Sequence, residues 1–162
     1  MLFRWIRAVV VLPFNALVII PAAVVWASGR DIAPQGAWWL AGSGALLACG
    51  LALAAWTMVL FHRKGEGTPA PWDPPKKLVV AGPYRHMRNP MLTSVFIMLG
   101  AEVVATHSAA LLAYALTFVA LNMFYFPLVE ERELLKRFGA DYARYKANVP
   151  RYIPRIRPWT GN

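Results

Sequence analysis

Apolar stretches separated by polar segments dominate the hydropathy pattern of the chain. The first covers residues 8–29, which lie between Arg7 and Arg30 and carry no charged side chain. As an α-helix this stretch is about 33 Å long, enough to cross a bilayer. Three further stretches follow at residues 37–61, 91–106 and 109–129. The pattern therefore predicts an all-α integral membrane protein with about four transmembrane helices in a single domain, 1–162.

Polar residues and glycines mark where the helices begin and end. Asn89 is a good N-cap and Pro90 suits the first helical position, so we expect the third span to begin there. Residues 106–108 predict a tight hairpin between the third and fourth spans. Beyond residue 129 the pattern becomes amphipathic, and a helix over residues 130–138 is predicted to end at Gly139. A second short helix follows, and both are expected to lie along the membrane face.

Composition and charge support a membrane location. The chain has 58% hydrophobic and 15% charged residues, whereas a soluble domain carries about 25% charged residues. A net charge of +9 is compatible with nucleic-acid binding, but the basic residues lie between and after the apolar stretches. With four spans and both termini in the cytosol, 16 of 17 Lys and Arg residues are cytosolic. We expect the lipid bilayer as partner, no nucleic acid, and a bacterial inner membrane.

Cysteine and histidine residues give no indication of a metal site. Cys49 is the only cysteine, so neither an intrachain disulfide nor a cysteine-based metal site is expected. The three histidines, at positions 62, 86 and 107, are scattered and are assigned to both sides of the membrane. The sequence therefore predicts no metal.

Most polar side chains lie in two predicted cytosolic segments, residues 62–90 and 130–158. We expect any chemistry where these segments meet, at the cytosolic interface. The first segment ends with Arg85 and Arg88 just before a helix N-terminus, and arginines with free helix amides can together bind an anion. Pairing of the two arginines with lipid phosphates is the alternative.

The second segment opens with Glu130 and Glu131. Adjacent carboxylates at a membrane boundary are costly unless they are paired or used. They can bind a cationic ligand, or they can form salt bridges with Arg85, Arg88 or Arg132. The sequence leaves both interpretations open.

Glu102 lies inside the third apolar stretch. Acidic residues within a membrane are functional by default, but this one is near the outer end of its span. Snorkelling or a helix–helix hydrogen bond explains it equally well. No predicted helix carries a polar stripe, so a small transporter or channel is a weak alternative.

At the two polar segments the sequence resembles a known superfamily. Residues 82–91, GPYRHMRNPM, are similar to the Gly-Pro-Tyr-Arg-x-x-Arg-(His/Asn)-Pro-x motif of the isoprenylcysteine carboxyl methyltransferase and phospholipid methyltransferase superfamily. Residues 130–154, EERELLKRFGADYARYKANVPRYIP, resemble the C-terminal signature of that superfamily. Residues 67–71, GTPAP, resemble its bacterial members. The resemblance covers residues 62–158.

The resemblance implies a membrane methyltransferase that binds S-adenosylmethionine at the cytosolic interface, with the amphipathic C-terminal helices closing the cofactor pocket. Arg88 or the amides at the start of the third span would bind the cofactor carboxylate. Glu130 or Glu131 would bind its ammonium, and a tyrosine would face its sulfonium through a cation–π contact. The implied cofactor-binding residues are Arg85, Arg88, Asn89, Pro90, Glu130, Glu131, Tyr142, Tyr145, Val149, Pro150, Ile153 and Pro154, the last four forming a wall for the adenine.

The implied reaction is direct methyl transfer by in-line displacement. Its candidate catalytic residues are Glu130, Arg88 and Tyr84. An acceptor carboxylate needs no base, whereas an amine or a thiol must lose a proton, for which Glu130 or Tyr84 is the candidate. Asn89, where some members have His, favours the phospholipid and bacterial side. We therefore expect a lipid or a small lipophilic acceptor.

The sequence departs from the superfamily pattern at two positions. Leu92 and Ser94 stand where many members have Tyr and Gly. These departures support an alternative in which the chain is a non-catalytic four-helix membrane protein, either a relative without activity or an assembly factor.

Overall fold

The computed structural model describes residues 10–29, 36–65 and 75–161 of the chain. These residues form helices and turns, with no strand among them. The α-helices are α1 (Ile20–Ala27), α2 (Ala37–Leu60), α3 (Pro90–Thr106), α4 (Ala109–Tyr125) and α5 (Glu131–Asn148). Three stretches form wider π-helical turns. Val10–Ile19 precedes α1, Phe61–Gly65 follows α2, and Phe126–Glu130 links α4 to α5. The predicted all-α class is confirmed, while the motif at residues 67–71 lies outside the described residues.

Two of the described helical stretches are long and apolar enough to cross a membrane, Ala37–Gly65 and Ala109–Asn148. The uncharged part of the second ends at residue 129, so the charged remainder lies outside the predicted span. Many of their large apolar side chains are exposed, as expected of surfaces that face lipid. Two further apolar helices, Pro13–Ala27 and Pro90–Thr106, are shorter, and the count of four spans stays a prediction.

A tight turn links α3 to α4, as predicted for residues 106–108. His107 has a φ of +50°, a conformation that residues other than glycine rarely adopt. The hydroxyl of Ser108 accepts a hydrogen bond from the N–H of Leu111 at 3.3 Å, so it caps α4.

Helix α5 is interrupted at Gly139. This residue has φ 53° and ψ −127°, outside the helical region, and glycine adopts such a conformation without a steric penalty. The predicted break between two short amphipathic helices is therefore confirmed at the predicted residue.

The described residues group into two compact units. One consists of the described part of Met1–Ala52 together with Ser94–Leu121. The other consists of the described part of Leu53–Thr93 together with that of Asn122–Asn162. The candidate site described below belongs entirely to the second unit.

In the first unit, Gly50 makes a close backbone approach. A Cβ atom on Gly50 would lie 2.5 Å from Cγ of Met98 and 3.1 Å from the carbonyl oxygen of Ser94. Ser94 itself is fully buried. Ser94 stands where many superfamily members have Gly, and its small side chain is compatible with this tight packing.

The second unit has a core of aromatic and aliphatic side chains from α5 and the residue after it. Its centre consists of Tyr142, Tyr145 and Val149, each at most 2% exposed. Partly buried side chains pack against this centre: Leu78, Val80, Leu134, Phe138 and Trp159. This core fixes the end of α5 against the chain that precedes α3.

Candidate functional site around Glu131

Residues 85–89 and the C-terminal loop, defined here as residues 150–159, are joined by backbone hydrogen bonds. The donor N–H and acceptor carbonyl pairs are Arg88 with Pro150 (2.8 Å), Asn89 with Arg151 (3.1 Å), Arg155 with His86 (3.0 Å) and Trp159 with Arg85 (2.9 Å). The two segments in which the sequence places the chemistry therefore meet within the second unit.

The chain before α3 turns at Gly82, as the sequence predicts. Gly82 has a φ of +53°, which favours glycine. A Cβ atom there would lie 3.0 Å from Leu60 and 3.2 Å from the Trp56 ring, so a larger residue would crowd both side chains. A 3-10 turn, Gly82–Arg85, follows directly.

The start of α3 places Arg88 at the site. The side chain of Asn89 accepts a hydrogen bond from the N–H of Leu92 at 3.2 Å, and Pro90 is the first helical residue. The predicted N-cap is thus confirmed. Arg88 immediately precedes the cap, where its backbone is fixed by the C-terminal loop.

Glu131 is the carboxylate at the centre of the site, and it is 1% exposed. Its Oε1 lies 3.1 Å from Nη2 of Arg88 and 2.9 Å from Nε of Arg151, which donates to it. Its Oε2 lies 2.8 Å from Nζ of Lys146. The salt bridge with Arg88, one of the alternatives open from sequence, is present.

These contacts keep Glu131 ionised. Burial by itself raises the pKa of Glu131, but hydrogen bonds from Arg151 and Lys146 and the charge of Arg88 outweigh burial and lower the pKa below its usual value. A single carboxylate therefore faces several basic groups. The local excess of positive charge favours an anionic ligand.

Arg88 has unused hydrogen-bonding capacity. Its side chain is 8% exposed, with Nη2 directed at Glu131. Its Nε and Nη1 atoms are buried without a hydrogen-bond partner in the part of the chain that the structure describes. Buried donors without partners are rare in proteins and need an explanation. A bound acceptor group, such as a carboxylate or a phosphate, would supply one.

Tyr142 presents a second unused polar group. The residue is 1% exposed, and no partner for its hydroxyl is found among the described residues. Burial first, and then the charge of Glu131, raises the pKa of Tyr142. The hydroxyl therefore stays protonated and is available as a donor.

Tyr84 and Tyr145 form a structural contact. The hydroxyl of Tyr145 donates to the carbonyl of Tyr84 at 2.6 Å, and both residues are buried. Burial, with the neighbouring Tyr145, raises the pKa of Tyr84 well above its usual value. Such a phenol stays protonated at neutral pH, and the base role expected of Tyr84 stays a prediction.

Glu130 lies beside Glu131 but in a different environment. The residue is exposed by surface area, yet desolvation of its carboxyl, together with the charge of Glu131, raises the pKa of Glu130 to about 7. Glu130 therefore changes its charge near neutral pH, unlike Glu131.

The other predicted residues serve the structure or lie outside the cluster. Nε of Arg85 donates to the carbonyl of Trp159 at 2.9 Å. Val149 is buried in the core while Ile153 is 81% exposed, and Pro150 and Pro154 are also exposed. The adenine wall expected of these four residues stays a prediction.

Sequence reasoning missed Lys146 and Arg151. Both lie between the fixed positions of the C-terminal motif, and no local spacing connects them to Glu131. An excess of basic residues after Glu131 is the general indication that the sequence offers. Among the described residues there is no group of three or more His, Cys, Asp or Glu side chains that could bind a metal ion.

Comparison with known proteins gives one result for the chain. A protein family described as phospholipid methyltransferase matches residues 38–141, which is more than half of the chain. The match includes Arg88 and Glu131 and ends before Lys146 and Arg151. Neither the curated proteins nor the solved structures gave a match.

Proposed function

The chain belongs to the phospholipid methyltransferase family, and on this premise we propose that it transfers a methyl group from S-adenosylmethionine to a lipid or small lipophilic acceptor. The observation that carries the proposal is the buried Arg88 side chain, whose Nε and Nη1 have no partner among the described residues. Buried donors beside a cluster rich in positive charge suit an anionic group of a ligand. The cofactor carries one such group, its carboxylate.

The ammonium of the cofactor requires a carboxylate, and we assign it to Glu130. Glu131 already faces Arg88, Arg151 and Lys146, so a further cation there would be repelled. Glu130 is exposed, and desolvation together with the charge of Glu131 raises the pKa of its carboxyl, which disfavours the charged form. A bound ammonium would stabilise that charged form.

Among the tyrosines, Tyr142 is the one we expect to contact the cofactor. The hydroxyl of Tyr145 is engaged with the Tyr84 carbonyl, whereas that of Tyr142 is unpaired within the described ranges. A tyrosine near a sulfonium contributes about 0.5–2 kcal/mol through cation–π attraction.

When bound, the cofactor supplies an electrophilic methyl carbon for in-line displacement. The protein residues then position and desolvate the reacting groups, and orientation alone contributes about 7–11 kcal/mol to lowering such barriers. An acceptor that is an amine or a thiol must also lose a proton, but Glu130 paired with the cofactor ammonium is a poor base, because a bound cation lowers its pKa. A carboxylate acceptor needs no such step.

For the membrane arrangement we propose four spans with both termini in the cytosol. This topology leaves 16 of 17 Lys and Arg residues on the cytosolic side, in agreement with the positive-inside rule. In a bacterium this is the inner membrane, with the site at its cytosolic face. A lipid acceptor then enters laterally, and the cofactor enters from the cytosol.

Calorimetric titration of S-adenosylhomocysteine into detergent-purified protein tests the proposal. We expect micromolar binding that is lost in Arg88→Ala and kept in Arg137→Ala, an exposed arginine of the same helix as Glu131. Absence of binding to folded wild-type protein would instead favour the non-catalytic membrane protein that the departures at Leu92 and Ser94 suggest.

A further inference from the structure

The C-terminal loop exposes two large apolar side chains. Ile153 is 81% exposed and Ile156 is 96% exposed. Isoleucine is among the residues most often fully buried in folded proteins, and here two of them are exposed three positions apart. Neither residue lies in a predicted transmembrane helix, so the lipid contact expected of those helices does not explain their exposure.

This exposure is fixed by the fold, because the backbone around both isoleucines is held. Between them, the N–H of Arg155 donates to the His86 carbonyl at 3.0 Å, and the Arg155 carbonyl lies 2.7 Å from Nδ1 of His86. Nη1 of Arg155 donates to the Asn148 carbonyl at 2.7 Å. The loop therefore presents Ile153 and Ile156 outward as a defined surface.

The charged side chains of the loop itself are all basic, although Arg151 is paired with Glu131. Residues 150–161 contain Arg151, Arg155 and Arg157 and no Asp or Glu. Arg157, next to Ile156, is exposed. An exposed apolar pair flanked by arginines, without acidic residues, is the pattern of a segment that lies in a membrane interface.

We propose that the C-terminal loop docks on the headgroup layer of an anionic phospholipid bilayer, with Ile153 and Ile156 inserted at the start of the acyl region. The exposed Arg157 would then lie level with lipid phosphates, which attract basic residues. Nucleic acid has the same charge but offers no apolar layer for the isoleucines. The proposal concerns the partner of the loop and does not depend on the proposed methyl transfer.

The test uses the full-length protein with a single fluorescent label. Replacing the exposed Cys49 by serine leaves no cysteine, and Ile156→Cys then carries an environment-sensitive fluorophore. Because Ile156 is 96% exposed, the label disturbs no packing. The protein is reconstituted into phosphatidylcholine with and without phosphatidylglycerol, in the presence of lipids that carry a quencher near the headgroup.

A label at Asp141→Cys is the matched control, because Asp141 is exposed on α5 and charged. In the anionic bilayer we expect lipid quenchers to reduce the emission strongly at position 156, with little loss at position 141. Arg157→Gln should lower the docked-to-undocked ratio about fivefold, since a basic residue near an anionic surface contributes about that factor.

Other results would overturn the proposal. Equal accessibility of both labels to water-soluble quenchers would show that the loop faces solvent. Equal lipid quenching with and without phosphatidylglycerol would exclude the role of anionic lipid. A response of the label to added RNA or DNA, and not to lipid, would assign the loop to nucleic acid.

Discussion

Nη2 of Arg88 lies 3.1 Å from the Glu131 carboxylate, and both side chains are more than nine-tenths buried. This ion pair connects the residue before the α3 cap with the first residue of α5. Breaking a buried pair by removing one partner is strongly destabilising, because an uncompensated charge remains. The pair therefore has a structural role, while the unused donors of Arg88 are free for a ligand.

The substitution Glu131→Ala should destabilise the protein by about 3–5 kcal/mol, because it leaves the buried Arg88 without a counter-ion. Thermal unfolding in detergent measures the effect. Glu133→Ala is the matched control, since Glu133 pairs with Lys136 on the same helix but both side chains are exposed. Equal losses of stability in the two variants would show that the buried ion pairs of Glu131 stabilise the protein no more than the exposed pair of Glu133 does.

Tyr145→Phe and Tyr142→Phe should separate structure from binding. Loss of the Tyr145 hydroxyl leaves the buried Tyr84 carbonyl without this donor, at a cost of about 1–2 kcal/mol of unfolding free energy. The Tyr142 hydroxyl has no partner within the described part of the chain, so its removal should leave stability unchanged. Instead, Tyr142→Phe should weaken S-adenosylhomocysteine binding about tenfold. A stability loss without a binding change would contradict the assignment of Tyr142.

Gly82→Ala should destabilise more than Gly139→Ala. Both glycines have a φ of 53°, so both substitutions incur a backbone cost of about 1–2 kcal/mol. At Gly82 the new Cβ would also lie 3.0 Å from Leu60, whereas at Gly139 no described atom lies within 4 Å. Chemical unfolding of the two variants measures the difference, and a larger loss for Gly139→Ala would refute the steric argument.

Much of the fold was predictable because local signals determine it. The Asn89 cap, the tight turn at residues 106–108 and the break at Gly139 each follow from one or two residues with a known conformational preference. The ends of the helices lie close to the ends of the apolar stretches, because such local signals mark them. The number of membrane spans is different, because it depends on the bilayer as much as on the helices.

The site was predictable only in part. The motifs identified Arg88 and Glu131 as belonging to one site, and the structure joins them. Lys146 and Arg151 reach Glu131 through the packing of the core and the loop, which no spacing along the chain reveals. Packing also engages the Tyr145 hydroxyl with the Tyr84 carbonyl, and a residue type alone does not show whether its hydroxyl is already used.

Ligand binding should depend on pH through Glu130. The pKa of its carboxyl is about 7, so the group is ionised above that pH and protonated below it. If ionised Glu130 binds the cofactor ammonium, the affinity for S-adenosylhomocysteine should fall by up to about tenfold per unit below pH 7, and stay constant above pH 7 until the amine of the ligand itself loses its proton. Glu131 cannot cause this change, because its pKa is lowered and it stays ionised throughout.

Calorimetric titrations across this range with wild type and Glu130→Gln distinguish the groups. Glutamine keeps the shape and removes the titration, so the variant should bind weakly with an affinity that no longer changes near pH 7. Glu133→Gln, an exposed glutamate of the same helix, should keep the wild-type profile. If the fall below pH 7 persists in Glu130→Gln, another group titrates and the ammonium is not bound by Glu130. A flat wild-type profile with tight binding would likewise show that the Glu130 charge makes no contribution to the affinity.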